Sequence, residues 1–109
     1  MVAELYPIEY IGDVIEVRQT EAYAGWFANL GDQQAKARII VRIRRLSLGL
    51  LGDVKPVGEG GSELRIDYGP GYRVYFVQRG QTLIVLLAGG DKGTQDRDRR
   101  TALQLARDL

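Results

Sequence analysis

Two arginines on neighbouring β-type runs are the residues of this chain best suited to chemistry on a phosphate. Arg65 lies in the run ELRIDY and Arg73 in the run GYRVYF, with Gly69-Pro70-Gly71 between them. A guanidinium is a planar fork that holds two phosphate oxygens and stays charged at any working pH, but it is a poor base. Side chains alternate faces along a strand, so Arg65 shares a face with Glu63 and Asp67, and Arg73 with Tyr75. With Gly69 to Gly71 as the loop, Asp67 falls opposite Arg73 and Arg65 opposite Tyr75. A two-residue turn at Arg79-Gly80 then sets Tyr75 opposite Ile84 and Arg73 opposite Leu86. The expected result is a shallow, positively charged floor of Arg65, Arg73 and Tyr75 above Ile84, Leu86 and Ala88. Lys55, in the preceding glycine-rich segment, is expected at its rim.

The elements that must position this floor follow from pattern. Residues 64–68, 72–77 and 83–87 read as an antiparallel meander. Its other face, with Leu64, Ile66, Val74, Phe76, Val85 and Leu87 among others, calls for helical cover. Upstream, residues 14–18 are a short β-branched strand. Thr20 is a fair N-cap for a helix through residue 30, in which Tyr23, Phe27 and Leu30 recur at helical spacing beside Trp26. Gly31 ends it, and Asp32 caps a second helix to about residue 48. There Ala35, Ile39, Ile43, Leu46 and Leu50 form an apolar stripe, and Arg38, Arg42 and Arg45 a solvated basic one. Residues 1–12 read as a lead-in, 49–61 as loop and 89–93 as a glycine-rich bend. Thr94 starts a final helix whose weak apolar edge of Ala102, Leu105, Ala106 and Leu109 is expected to need a partner for order. The fold class is α+β: one domain over residues 1–109, an N-terminal strand and αα-hairpin packed on a meander, and a short C-terminal helix.

At 109 residues, 45% hydrophobic and 27% charged, the composition is that of an ordinary soluble domain. The chain has no cysteine and no histidine, which excludes disulfides, thiolate and imidazole metal sites, cysteine nucleophiles and Ser–His dyads. Asp91, Asp96 and Asp98 alternate with Lys92, Arg97 and Arg99, so no carboxylate metal site and no cofactor is expected. Charge is uneven: Arg18 is the only base among residues 1–35, whereas residues 36–55 hold Lys36, four arginines and Lys55 against Asp53 alone. That asymmetry suits an anionic partner. No apolar run reaches membrane-spanning length, and Glu4 and Glu9 follow Met1 where a leader would be basic and then apolar, so a cytoplasmic protein is expected.

A strand, a helical hairpin and a meander carrying ELRIDYGPGYRVYF that leads into LLAGGDKGTQDRD resembles the RelE/ParE superfamily of type II toxin–antitoxin toxins. Within it the resemblance is to the HigB-like addiction-module killer proteins; it covers residues 14–109 and is strongest over 63–96. It implies a RelE-like fold and a ribosome-dependent mRNA endonuclease that inhibits translation. The implied partners are ribosome, mRNA and a cognate antitoxin, usually a helix-turn-helix DNA-binding protein. It further implies that Arg73, in the G-Y-R motif, holds the scissile phosphate, that Arg65 and Lys92 fill the family's neighbouring basic positions, and that Lys55 matches a basic loop position. Metal-free cleavage needs an in-line 2′-hydroxyl, neutralisation of phosphorane charge and a proton route. Tyr75 suits base stacking or proton relay. Some relatives carry a tyrosine or histidine after the last meander strand, where this chain has Asp91, Lys92, Thr94, Gln95 and Asp96; the general base stays open between Asp91 and a lysine of lowered pKa. A ParE-like gyrase inhibitor and a non-catalytic antitoxin-binding protein are the alternatives on the same scaffold. The plain alternative for Arg73 is a surface ion pair with Asp67, worth little to stability.

Overall fold

A hydroxyl at a strand end can both start a helix and tie it to a sheet, and Thr20 does both. In the computed structural model, which describes residues 15–109 and the backbone of residues 2–4, strand β2 is Glu16–Thr20 and helix α1 is Glu21–Ala28. The Thr20 hydroxyl accepts the Tyr23 N–H at 3.1 Å and donates to the Leu87 carbonyl at 2.6 Å. Helix α2 is Gln33–Ser47, capped by the Asp32 carboxylate, which accepts the N–H groups of Gln34 and Ala35. The Ala35 bond above all holds that carboxyl below its usual range. Ala35, Ile39, Ile43 and Leu46 are buried as their spacing predicts. Leu50 does not extend the stripe: the helix ends at Ser47, Gly49 turns the chain with φ +84°, and Leu50 is 60% exposed.

The remaining elements are strands β1 (Val2–Glu4), β3 (Val54–Gly58), β4 (Gly61–Ile66), β5 (Tyr72–Arg79) and β6 (Leu83–Asp91), a 3-10 turn Lys92–Thr94, and helix α3 (Gln95–Arg107). They form one mixed sheet in the order β1-β2-β6-β5-β4-β3, with β2 parallel to β6 and the other neighbours antiparallel. Part of the expected lead-in is therefore strand; the rest of it, and Val14 of the expected first strand, lie outside the described residues. The expected loop 49–61 contains β3, an edge strand, where Pro56 costs no interior ladder bond.

Both hairpin loops are longer than the turn signals suggest, and this changes the register. Ile66 pairs with Tyr72, so Arg65 stands opposite Arg73 and Glu63 opposite Tyr75. Arg79 pairs with Leu83, and a bulge falls between Tyr75 and Phe76. Relative to a two-residue turn, β6 is displaced by an odd number of residues, which turns its side chains to the other face. Ile84 and Leu86 therefore join Leu64, Ile66, Val74 and Phe76 beneath α1 and α2, while Val85, Leu87 and Ala88 share the opposite face with Tyr75 and Val77. The expected floor of Ile84 and Leu86 below Arg73 does not form.

That opposite face is also covered. Helix α3 lays Ala102 and Ala106 on Tyr75, Val77, Val85, Leu87 and Ala88, so the chain's own sheet orders the last helix. Gly89 and Gly90 are not a bend; they lie inside β6 and admit both helix layers. A Cβ on Gly89 would stand 2.1 Å from Cε3 of Trp26 in α1, and one on Gly90 1.8 Å from Oδ2 of Asp98 in α3. Among the described residues no helix is long and apolar enough to cross a membrane. Gly89→Ala is expected to lower unfolding free energy by about 3 kcal/mol through overpacking against the rigid indole. Gly25→Ala, with open space around it in α1, should instead gain roughly 0.5–1 kcal/mol. Urea denaturation of the two variants checks both signs.

Candidate functional site

Cross-strand partners share a face, so the observed register collects cations. Arg65 and Arg73 are direct partners on the side covered by α3, and Lys55 pairs with Glu63, placing it on that side as well. Lys92 follows β6 at the other flank. A Cβ on Gly71 would meet Lys92 Cβ at 3.6 Å and Arg73 Nη1 at 3.8 Å, so these two residues border the same turn. Lys92, Arg73, Arg65 and Lys55 thus cross the sheet as a staggered line from the end of β6 to β3, with Lys55 one row away, opposite Glu63, and Asp53 in the place beside Arg65. Helix α2 braces it: Arg42 Nη1 donates to the Arg65 carbonyl at 2.6 Å. Arg42 is therefore a structural tie and not part of a solvated stripe; burial lowers its pKa. Arg38 lies over the Tyr68 ring at 4.6 Å.

The members of the line differ in state. Arg73 is 13% exposed in its side chain, and its Nε stands 3.6 Å from Oε1 of Glu63, whose side chain is 1% exposed. Among the described residues neither of those two atoms has a hydrogen-bond partner. The other Glu63 oxygen accepts from Gln95 Nε2 at 2.9 Å. Asp67, expected opposite Arg73, is instead exposed in the loop, and Glu63 takes its place. Arg65 is 37% exposed and grips Asp53, with Nη2 at 3.1 Å and Nε at 3.2 Å. That carboxylate holds the guanidinium charged beyond its usual range. Lys55 and Lys92 are exposed.

Tyr75, expected to stack on a base or relay a proton, and Asp91, a candidate base at the substrate, change role. Tyr75 is 1% exposed and donates its hydroxyl to the Gln95 carbonyl at 3.3 Å, so its ring cannot stack on a base. Burial, reinforced by the Glu63 charge, pushes its phenol far up, away from proton transfer near neutrality. Asp91 accepts the Gly93 N–H at 2.7 Å and caps the 3-10 turn. Thr94 receives the Asp91 N–H and donates to Asp98. Glu63 and Asp53 carry no expected role from sequence, yet they are the carboxylates that face Arg73 and Arg65, and Gln95 holds Glu63; the signal for Glu63 is its i, i+2 relation to Arg65. Beside Lys92 opens a cleft of about 400 Å³ lined by Thr94, Gln95, Asp96, Arg97 and Arg100. Among the described residues no group of three or more acidic side chains gathers as a metal site.

The structure defines a small mixed-sheet α+β domain whose α3-covered face ends in a line of cations with a buried carboxylate behind it. The chain is 46% identical over 95 residues to an uncharacterized protein of Haemophilus influenzae, a match spanning 87% of this chain and 96% of that one. The two proteins belong to one family. No protein-family model matches the chain, and no solved structure matches it.

The Tyr75 environment sets an alkaline limit. Its folded-state pKa lies above the ordinary 10.0, so its contribution to stability is complete below that pH and is lost as pH rises, once the unfolded chain can ionise the phenol. The stability of Tyr75→Phe should fall less steeply than that of the parent above pH 10, as read from paired urea midpoints on either side of that value.

Proposed function

We propose that this chain is the toxin of a type II toxin–antitoxin pair of the RelE/ParE kind, acting in the cytoplasm as a ribosome-dependent endonuclease neutralised by a cognate antitoxin. The observation that carries the reading is the line Lys92–Arg73–Arg65–Lys55, one cation from each successive strand or its end, set on a single face. It coincides with the stretch in which the sequence resembles those toxins. Messenger RNA runs along the line, its phosphates neutralised by the two exposed lysines and Arg65. Arg73 takes the scissile phosphate on its Nη fork. The 2′-oxygen bonds to phosphorus and the bond to the 5′-oxygen breaks, leaving a 2′,3′-cyclic phosphate and a 5′-hydroxyl. The proton lost from the 2′-hydroxyl is matched by the one gained at the 5′-oxygen, and no metal or redox partner is required. Arg73 neutralises the charge that grows on the phosphorane oxygens.

A second reading, an inhibitor of DNA gyrase that acts by binding alone, is favoured by one observation. Asp91 is committed to a turn and Tyr75 is enclosed, so neither stands ready as a general base.

Translation extracts with and without the protein, scored for message cut within codons, beside a gyrase supercoiling assay, separate the two. Cut message supports the nuclease; intact message with stalled supercoiling overturns it. Arg73→Ala is a poor probe, because it strands the buried Glu63 and is expected to cost about 3–5 kcal/mol of stability. Arg73→Lys keeps the charge and removes the fork. It should retain the fold while slowing message cleavage by about 100-fold, measured as single-turnover rates on programmed ribosomes.

A further inference from the structure

We infer that Glu63 is a positioning residue for Arg73: it faces the Nε edge of the guanidinium, so that the Nη fork is presented at the Lys92 rim, while Gln95 of α3 holds Glu63 in place. The inference deepens the nuclease reading and rests on it only for its kinetic consequence. Glu63 occupies the centre of a three-strand row, with Lys55 on one side and Tyr75 on the other, and is sealed from solvent. A carboxylate in such a place is costly unless its oxygens are satisfied. Oε2 is satisfied by Gln95 at 2.9 Å. Oε1 faces Arg73 Nε across 3.6 Å, and among the described residues neither atom makes a hydrogen bond.

Two orphan atoms that face each other slightly beyond bonding distance make a poor device for stability, since a well-packed apolar pair of the same volume serves that end as well or better. They make a good device for aim. The guanidinium is flat, and its Nε and Nη edges point in different directions. With Nε turned to Glu63, Nη1 lies by Gly71, where Lys92 also stands and where the covered face meets solvent. A phosphate on the fork then meets a guanidinium whose inner edge is already turned to a fixed carboxylate, so little orientation remains to be lost in the reaction.

The same carboxylate opposes anion binding by its charge. Removing it should therefore move binding and turnover in opposite directions, which loss of structure alone would not do.

The full chain with Glu63→Gln, isosteric and uncharged, and with Glu63→Asp, charged but shorter, tests this with three measurements. In ligand-free ¹⁵N-labelled protein the Arg73 Nε–Hε resonance, assigned by its loss in Arg73→Lys, should be protected from exchange in the parent and shifted and faster-exchanging in both variants. A fluorescent RNA oligonucleotide should bind Glu63→Gln about threefold more tightly, as one fewer negative charge near the line predicts. Single-turnover cleavage on programmed ribosomes should slow by about 10- to 100-fold in Glu63→Gln, with Glu63→Asp between it and the parent. An Arg73 resonance unchanged by either variant, or weaker RNA binding together with slower cleavage, overturns the inference in favour of a structural role. A parent protein that cuts no message removes the nuclease reading alone, and the resonance and the oligonucleotide affinity then still decide whether Glu63 orients Arg73.

Discussion

A carboxylate shut beneath a helix and facing an arginine is the constraint to which much of this molecule answers. Glu63 is buried because β4 pairs on both sides and α3 lies above it, so protein groups must replace the water it has lost. Gln95 supplies a hydrogen bond and Arg73 a charge. For Gln95 to reach, α3 must begin directly after β6, and the 3-10 turn capped by Asp91 provides that sharp start. For the turn and the first turn of α3 to lie against the sheet, the residue of β6 opposite Arg73 must carry no side chain; Gly90 leaves that space to Asp98 and Thr94. Arg73, Glu63, Gln95 and Gly90 therefore depend on one another across three elements.

The two-sided cover of β6 extends the same logic. Leu83 to Ala88 is an unbroken apolar run, the pattern of a strand buried on both faces. The bulge opposite Tyr75 and Phe76 sends Leu87 and Ala88 to the α3 side in succession, and thereafter Gly89 faces Trp26 and Gly90 faces Asp98. Small residues also let α3 sit close. Its contact face is built on Ala102 and Ala106 with Leu105 beside them, so a helix whose first half is mostly charged still buries enough to dock.

What was legible in the sequence was what local chemistry decides. Thr20 and Asp32 cap their helices because a short polar side chain before an apolar period has few other uses, and the α2 stripe follows from the helical repeat. Register was not legible, because it depends on how many residues each loop consumes. The β4–β5 displacement is even, so Arg65 and Arg73 keep their common face although their partners change; the β5–β6 displacement is odd, so Ile84, Leu86, Val85 and Leu87 exchange faces. Strand β3 was hidden by Pro56 and its glycines, which read as loop unless the strand is known to be at an edge. Alternation puts Glu63 on the correct face beside Arg65, but its burial depends on α3, whose weak apolar edge does not reveal that it docks there.

The division of labour within the site bears on where it can act. Along the cation line the groups that neutralise charge are abundant, while two groups that could move a proton are withheld: Tyr75 is enclosed with its phenol held high, and Asp91 is spent on a turn. A surface of this kind contributes electrostatic stabilisation and orientation, the terms that survive without a base. On the nuclease reading, such a catalyst gains most where the message is already held in a fixed conformation, so that the 2′-hydroxyl need only be brought into line with the phosphate. Free RNA must pay that alignment at each encounter, whereas RNA threaded through a ribosome is already constrained. On that reading, a protein equipped with guanidinium and ammonium groups but no imidazole suits the second substrate better than the first.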